Sequence, residues 1–188
     1  MLEFLEHIDQ QIFLFLNGMH NSFFDVFFWW FSNKYFWFPF YALLIYILIK
    51  RDKQKGAFAV LALIILITLS DQGSVYLFKN LFQRYRPCHN VDLQGLVHIV
   101  NNKCGGTYGF ISSHASNSFA LALFTILYFK NRTYTWIILI WATLMAYSRI
   151  YLGVHYPADV FVGGIFGGIL GFFNYFAFVR IMKESANH

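Results

Sequence analysis

Residues 57–87 read AFAVLALIILITLSDQGSVYLFKNLFQRYRP and combine a long apolar run with a basic end. Residues 57–82 are almost continuously apolar, with Asp71 and Lys79 as the charged side chains among them. An apolar run of about 20 residues is long enough to cross the hydrocarbon core of a bilayer as a helix. We therefore predict a spanning helix at 57–82 that ends in a cluster of cations.

Four further apolar runs flank this helix, and each has a length and hydropathy that suit a spanning segment. They cover residues 34–50, 113–129, 133–151 and 157–180. The sequence therefore predicts an all-α fold, a polytopic membrane helix bundle with five spanning helices.

The first 33 residues show a different pattern. Residues 2–17 alternate Leu, Phe and Ile with polar side chains at helical spacing, which is typical of a helix lying in the membrane interface. Residues 23–31 are aromatic but too short to span. A sixth span at 12–31 is an alternative, although it would enclose several polar residues. We divide the chain into N-terminal interfacial helices at 1–33 and a membrane domain at 34–188.

The composition favours a membrane over water as solvent. Hydrophobic residues make up 58% of the 188 and charged residues 12%, against about 25% charged in soluble proteins. The net charge of +5 falls in short clusters between apolar runs, so nucleic acid is not an expected partner. The expected partners are membrane lipids and a lipid substrate, and the oligomeric state stays open. The acidic start lacks the positive region of a signal peptide, so we expect no cleaved segment.

The basic residues also suggest an orientation. If five helices alternate, eight Lys and Arg lie on one side and six on the other, and the eight fill short connections, where the positive-inside rule applies best. We therefore expect a multi-pass membrane protein with loop 84–110 outside the cytoplasm. Two thiols on one loop commonly pair in an oxidising compartment. Cys88 and Cys104 are thus predicted to form a disulfide, with two unrelated thiols as the alternative.

Polar residues cluster at the ends of the predicted helices. Lys79 and Arg86 close the second span and, seven residues apart, are predicted to share one helix face. Ser112 stands where it would cap the third span, followed by Ser113 and His114. A helix N-terminus leaves backbone N–H groups and the positive dipole end available to a phosphate. We expect an anion site here.

A third polar group lies between the last two spans. Ser148 and Arg149 close one span, and His155 and Asp159 flank Pro157 at the start of the next. Pro suits the first helical turn. Alternation of the helices puts all three groups on the same side of the membrane.

Together these residues suit phosphoryl transfer without a metal or other cofactor. The cations that would neutralise the phosphate oxygens are Lys79, Arg86 and Arg149. His155 could attack phosphorus as a neutral imidazole while Asp159 holds its other nitrogen. His114 would protonate the leaving group and then activate water.

These blocks, in this order and spacing, resemble the tripartite signature of the type 2 phosphatidic acid phosphatase (PAP2) superfamily. They are Lys79-x6-Arg86-Pro87, Ser112-Ser113-His114 and Ser148-Arg149-x5-His155-x3-Asp159. The resemblance implies that 34–188 is a phosphatase domain with His155 as nucleophile, Asp159 as its partner and His114 as acid and base. It also implies phosphate contacts from Lys79, Arg86, Ser112, Ser113 and Arg149.

The middle block departs from the usual Pro-Ser-Gly-His. Ile111 replaces the Pro and Ser113 the Gly. Serine keeps the backbone N–H, so we expect phosphate binding to survive and the added side chain to narrow the site.

We therefore predict a metal-independent phosphatase of lipid phosphates or diphosphates that forms a phosphohistidine on the extracytoplasmic face. Undecaprenyl diphosphate is the first choice of substrate. Lipid A phosphatase and phosphatidylglycerophosphate phosphatase are alternatives that the signature does not separate. The two histidines with Asp159 could instead hold a metal, and the basic pocket could belong to a non-enzymatic transporter of anionic lipids. Asp71 is left outside the site.

Overall fold

The computed structural model describes residues 2–185, and within them the chain forms seven helices and no β-strand. The helices are α1 (Leu2–Gly18), α2 (Ser22–Phe31), α3 (Phe38–Arg51), α4 (Lys53–Phe82), α5 (Ser113–Phe129), α6 (Arg132–Tyr151) and α7 (Pro157–Ser185). A π-helical turn at Ser74–Lys79 interrupts α4, and a 3-10 turn at Lys34–Trp37 leads into α3. The prediction of an all-α fold is confirmed.

Two of these helices, α4 and α7, are long and apolar enough to cross a membrane on length and composition alone. α3 and α5 are shorter, at 14 and 17 residues. Large apolar side chains are nevertheless exposed on several helices, among them Ile47, Ile64, Ile140 and Phe173. Soluble monomers rarely expose apolar surface on this scale.

Capping side chains set the starts of the central helices. Asp52 accepts a hydrogen bond from the backbone N–H of Lys55 at 3.1 Å at the start of α4. Asn131 accepts one from the N–H of Tyr134 at 2.9 Å at the start of α6. Such caps satisfy N–H groups that have no partner inside the helix. The five predicted apolar runs begin within four residues of the observed helices.

A row of glycines brings α7 against α5. Gly163, Gly167 and Gly171 are buried, and a Cβ added to Gly167 would lie 1.9 Å from the backbone oxygen of Ser116. Small residues at every fourth position let two helix backbones approach closely. This approach fixes the relative position of the first turns of α5 and α7, where the polar residues of the sequence signature lie.

α1 packs on the bundle through one face. Phe13 and Asn17 on that face are 0% and 1% exposed. The Asn17 side-chain oxygen accepts a hydrogen bond from the N–H of His98 at 2.8 Å. Its amide nitrogen donates to the carbonyl oxygens of His98, Ile150 and Tyr151. One buried amide therefore joins α1 to the end of α6 and to the loop between α4 and α5.

The prediction that Lys79 and Arg86 share a helix face is wrong. α4 ends at Phe82 because Gln83 adopts a left-handed conformation with φ of 47°. Arg86 is extended, with φ of −68° and ψ of 156°, as expected for a residue that precedes proline. The two cations therefore approach from different elements.

The extended segment after α4 pairs with the end of the same loop. The N–H of Gly109 donates to the carbonyl oxygen of Arg84 at 2.8 Å, and the N–H of Arg86 donates to that of Thr107 at 3.1 Å. Between these bonds, Tyr85 and Tyr108 form an isolated antiparallel bridge. This pairing, rather than a helix, orients the arginine side chains.

A disulfide joins Cys88 and Cys104 within this loop, with their Cα atoms 5.9 Å apart. That separation lies in the usual range for a disulfide. His89 lies beside the two sulfur atoms. Because both sulfurs are bonded to each other, the three residues do not offer a metal ion three ligands.

Replacing Gly167 with alanine should force α5 and α7 apart, because the added methyl group would overlap the Ser116 carbonyl oxygen. Overpacking of this kind costs about 1 to 3 kcal/mol. The midpoint of thermal unfolding in detergent should therefore fall. Gly168→Ala is the matched control, since its Cβ would make an ordinary 3.9 Å contact with Leu123. Equal midpoints for the two variants would contradict the close packing.

The disulfide predicts that the purified, denatured protein has no free thiol until it is reduced. Alkylation before and after reduction, followed by mass spectrometry, measures this directly. The bond closes a loop with a sequence separation of 16, which should contribute about 3 kcal/mol to the free energy of unfolding. Two modified cysteines without prior reduction would refute the pairing.

Candidate active site

Three helix ends meet at one end of the bundle. The backbone N–H of Ser112 donates to the carbonyl oxygen of Asp159 at 2.9 Å, which joins the starts of α5 and α7. The N–H groups of Val154 and His155 both donate to the carbonyl oxygen of Arg149, which holds the link between α6 and α7 in a tight turn. The structure therefore brings the middle and last blocks of the signature together.

His155 and Asp159 form a buried pair. Their side chains are 2% and 0% exposed. Nδ1 of His155 lies 3.4 Å from Oδ2 of Asp159, which also accepts a hydrogen bond from the N–H of Tyr156 at 3.0 Å. A carboxylate at Nδ1 favours the tautomer whose Nε2 carries a lone pair. Nε2 is thus the nitrogen available for chemistry.

Arg86 faces that nitrogen. Its Nη1 lies 3.3 Å from Nε2 of His155 and 3.4 Å from the carbonyl oxygen of Val154. Gly109 lies beside it, where a Cβ would approach both the Arg86 side chain and Oδ2 of Asp159 to 3.1 Å. The arginine therefore lies close enough to Nε2 to contact an oxygen of a phosphate group that approaches the imidazole.

Lys79 reaches the site from the π-helical turn of α4. Its Nζ donates to the Oγ of Ser113 at 2.8 Å, and Ser113 also shares a hydrogen bond with Ser74. The hydroxyl that replaces the usual glycine thus contacts the first cation of the signature. In this position Ser113 links α4 to the start of α5.

His114 and Arg149 line one cavity of about 350 Å³ at the mouth of the site. Arg149 donates through Nη1 to the hydroxyl of Ser32, which lies after α2. Lys34 and Lys103 also line this cavity. A cationic opening of this size leaves room for the headgroup of a substrate.

Two arginine donors in the site have no hydrogen-bond partner within the described part of the chain. They are the buried Nε atoms of Arg86 and Arg149. A buried donor without a partner costs free energy, and guanidinium groups suit the oxygens of phosphate. This is the feature of the site that most directly indicates an anionic ligand.

Ser112 caps α5 and links it to α7. Its hydroxyl accepts the N–H of Ala115 at 3.4 Å as the cap of α5, and its own N–H is bonded to Asp159. Its side chain is fully buried. Both polar groups are already engaged, so Ser112 holds α5 to α7, and a direct phosphate contact from it stays a prediction.

The sequence reasoning missed two charged residues, Arg84 and Asp9. Arg84 donates through Nη1 to Oδ1 of Asp159 at 2.9 Å and through Nη2 to Oδ2 of Asp9 at 2.8 Å. A signal for Asp9 was present, since Asp9, Phe13 and Asn17 are spaced by four residues and so share a helix face. Nothing in the sequence alone shows that this face is buried.

The electrostatics of the site favour a neutral His155. Burial, and then the cations Arg86 and Arg149, hold the pKa of His155 well below its ordinary value of 6.5. Burial also lowers the pKa of Arg86. At Arg84, burial acts in the same direction, but the carboxylates of Asp159 and Asp9 outweigh it and the pKa is raised. A neutral imidazole is the form that can act as a nucleophile.

Comparison with known proteins decides the family. The model of the PAP2 superfamily matches residues 57–183. The chain belongs to the PAP2 superfamily. It is therefore a phosphatase, and the alternative of a non-enzymatic transporter is rejected.

The chain is similar along most of its length to several named lipid phosphatases. It is 43% identical to a lipid A 4'-phosphatase of Bacteroides thetaiotaomicron over 94% of this chain and 79% of the relative. It is 38% identical to a lipid A 4'-phosphatase of Porphyromonas gingivalis, over 93% of this chain and 74% of that relative. An undecaprenyl-diphosphatase of Sulfolobus acidocaldarius is 29% identical to the chain, over 76% of this chain and 63% of that relative.

A solved structure supports the fold. The crystal structure of LpxE from Aquifex aeolicus superposes with a TM-score of 0.65 at 26% identity, over 88% of this chain and 93% of that one. With the family and the apolar helices, this makes the chain a membrane lipid phosphatase of all-helical fold.

The lowered pKa of His155 predicts how stability depends on pH. The unfolded chain binds a proton on this imidazole near its ordinary pKa of about 6.5, whereas the folded protein stays neutral to a lower pH. Because the unfolded state then binds more protons, stability should decrease as the pH falls below about 6.5. We expect His155→Asn to show a smaller loss of thermal midpoint than wild type between neutral and acidic buffers. Parallel losses in both proteins would contradict a neutral His155.

Proposed function

We propose that this protein removes a phosphate group from lipid A through a phosphohistidine intermediate on His155. The similarity to two lipid A 4'-phosphatases carries this choice, since both share more identity and coverage with the chain than the undecaprenyl-diphosphatase does. Undecaprenyl diphosphate, the first choice from the sequence, becomes the second candidate. Phosphatidylglycerophosphate remains the third.

The first chemical step uses the His155 and Asp159 pair. Nε2 of His155 attacks phosphorus and the bond from phosphorus to the lipid oxygen breaks. Asp159 retains the hydrogen bond to Nδ1 and stabilises the positive charge that develops on the ring. Arg86, 3.3 Å from Nε2, is placed to bind an oxygen of the transferred group as the bond forms.

Charge on the transferred phosphate is balanced by fixed cations. Lys79, Arg86 and Arg149 all reach this region, and two of them keep an unpartnered Nε donor. Charge in a phosphoryl transition state is spread over the equatorial oxygens, which preorganised donors stabilise. We expect these cations to supply the charge that a metal ion supplies in other phosphatases.

His114 completes the cycle. It lies in the first turn of α5 and lines the same cavity as Arg149. From there it donates a proton to the leaving lipid oxygen. It then removes a proton from the water that hydrolyses the phosphohistidine, which releases inorganic phosphate and returns both histidines to their starting forms.

The mouth of the site suits a headgroup with a second anionic group. Lys34 and Lys103 line the cavity but lie outside the cation set of the transfer site. Lys103 also stands 5.7 Å from the ring centre of Trp29. A lipid with one phosphate in the transfer site and another on its sugar backbone would meet these lysines.

We also propose that the chain crosses the bacterial inner membrane five times, with the site and loop 84–110 outside the cytoplasm. The exposed apolar side chains of α3, α4, α6 and α7 support several spans. The disulfide supports an oxidising compartment for the loop, because such bonds are rare in the reducing cytoplasm.

His155→Ala should abolish turnover without unfolding the protein. Loss of one member of a catalytic unit commonly lowers kcat by several orders of magnitude. The measurement is release of inorganic phosphate from lipid substrate in detergent, together with acid-quench trapping of phosphate on the protein. His7→Ala is the matched control, because His7 lies exposed on α1. More than about a tenth of wild-type activity in His155→Ala would refute the nucleophile.

The substrate is tested on the same preparation with a panel of lipids. We expect phosphate release from lipid A to exceed that from undecaprenyl diphosphate and phosphatidylglycerophosphate, with mass spectrometry locating the phosphate removed. If undecaprenyl diphosphate is hydrolysed fastest, the second candidate replaces the first while the histidine chemistry stands.

A further inference from the structure

The carboxylate of Asp159 is held from two sides. Oδ2 faces His155 and the N–H of Tyr156, whereas Oδ1 accepts from Nη1 of Arg84 at 2.9 Å. Asp159 is fully buried, and a buried carboxylate needs several hydrogen bonds and an opposite charge to remain ionised. Arg84 supplies both on the side away from His155.

Each of the three nitrogens of the Arg84 guanidinium faces a carboxylate of the protein. Nη1 is bonded to Asp159, Nη2 to Asp9, and the guanidinium lies 4.1 Å from the ring centre of Tyr156. Nε faces the exposed carboxylate of Glu6 at 3.8 Å. This distinguishes Arg84 from Arg86 and Arg149, whose Nε atoms are buried without a partner in the described chain. Arg84 is therefore oriented toward carboxylates rather than toward an incoming phosphate.

Asp9 fixes the far end of this chain of contacts. Its Oδ1 accepts the N–H of Ala158 in the first turn of α7 at 2.9 Å, and its Oδ2 accepts from Arg84. It is buried in a helix whose other acidic side chains, Glu3 and Glu6, are exposed. Asp9 thus binds the residue that precedes Asp159 as well as the arginine that holds it.

We propose that Asp9 and Arg84 are positioning residues that hold Asp159 in the orientation His155 needs. The proposal rests on the roles given above to His155 and Asp159. Its consequence is that α1, which lies outside residues 57–183 of the family match, takes part in organising the catalytic pair. In metal sites, loss of a group that orients a ligating side chain typically lowers activity by roughly 10- to 100-fold, and we expect a loss of similar size here.

The charges around Asp159 make the proposal testable by pH. The groups that face or influence it are Arg84 and Arg86 from the loop, His155 from the link before α7, and Lys79 from α4. Arg84 contacts the carboxylate directly and is the nearest of the cations. Removing its charge should make Asp159 easier to protonate, so the acidic limb of kcat should move to higher pH.

The experiment measures kcat, KM and the pH profile of kcat for Asp9→Asn, Arg84→Gln and Arg84→Lys in the full chain. Asp9→Asn should lower kcat by roughly 10-fold or more with little change in KM. Arg84→Gln should lower kcat further and shift the acidic limb upward. Arg84→Lys should return the acidic limb of the kcat profile to its wild-type pH. It should not restore the full kcat, because one ammonium does not span both carboxylates. Combining Asp9→Asn with Arg84→Gln should be non-additive.

Glu6→Gln is the matched control, because Glu6 lies on the same helix near Arg84 but is largely exposed, and such pairs contribute little. Asp9→Asn with kcat within about twofold of wild type and of the control would overturn the proposal, since positioning partners contribute more than that. An effect of Asp9→Asn on KM alone, with no change in kcat, would also overturn the proposal. If Arg84→Gln does not fold, Asp9→Asn and Arg84→Lys decide the question.

The assay uses whichever panel lipid the wild type hydrolyses best. Failure on lipid A would therefore sink the substrate assignment and leave this test intact. Full activity of His155→Ala would refute the catalytic scheme. The kcat of Asp9→Asn tests a separate point, the positioning role of Asp9.

Discussion

One buried carboxylate holds this site together. Asp159 bonds through its backbone carbonyl to the start of α5 and through its side chain to His155, Tyr156 and Arg84. A charge with no exposed surface is stable only when its surroundings are arranged around it. The close approach of α5 and α7 along the glycine row makes that arrangement possible, because any side chain at Gly167 would separate the two helices.

The cations of the site are arranged in two ways. Arg84 is neutralised by carboxylates and stiffens the protein, whereas Arg86 and Arg149 keep buried donors without partners and face the place of reaction. The same residue type therefore serves structure in one position and, in the proposed mechanism, ligand binding in another. What separates the two roles is the number of acceptors that the fold already provides, which a list of basic residues does not reveal.

Much of this could be predicted from the sequence, for physical reasons. Helix lengths follow from apolar runs, and alternation brings Lys79, His114 and His155 to one end once the runs are drawn. The helical continuation to Arg86 was wrong because backbone pairing with residues far along the chain overrides local pattern at Gln83. Asp9 could not be assigned from the sequence because its burial depends on the tertiary packing of α1 against the bundle.

The unpartnered guanidinium donors carry one further consequence. In the proposed mechanism, the buried Nε groups of Arg86 and Arg149 that bind the transferred phosphoryl group would also bind the inorganic phosphate left after hydrolysis of the phosphohistidine. The product and the transferred group present the same oxygens to the same donors. Release of the ion would leave those donors unpaired again, so in this mechanism departure of phosphate, rather than cleavage of the ester, is the step expected to limit turnover.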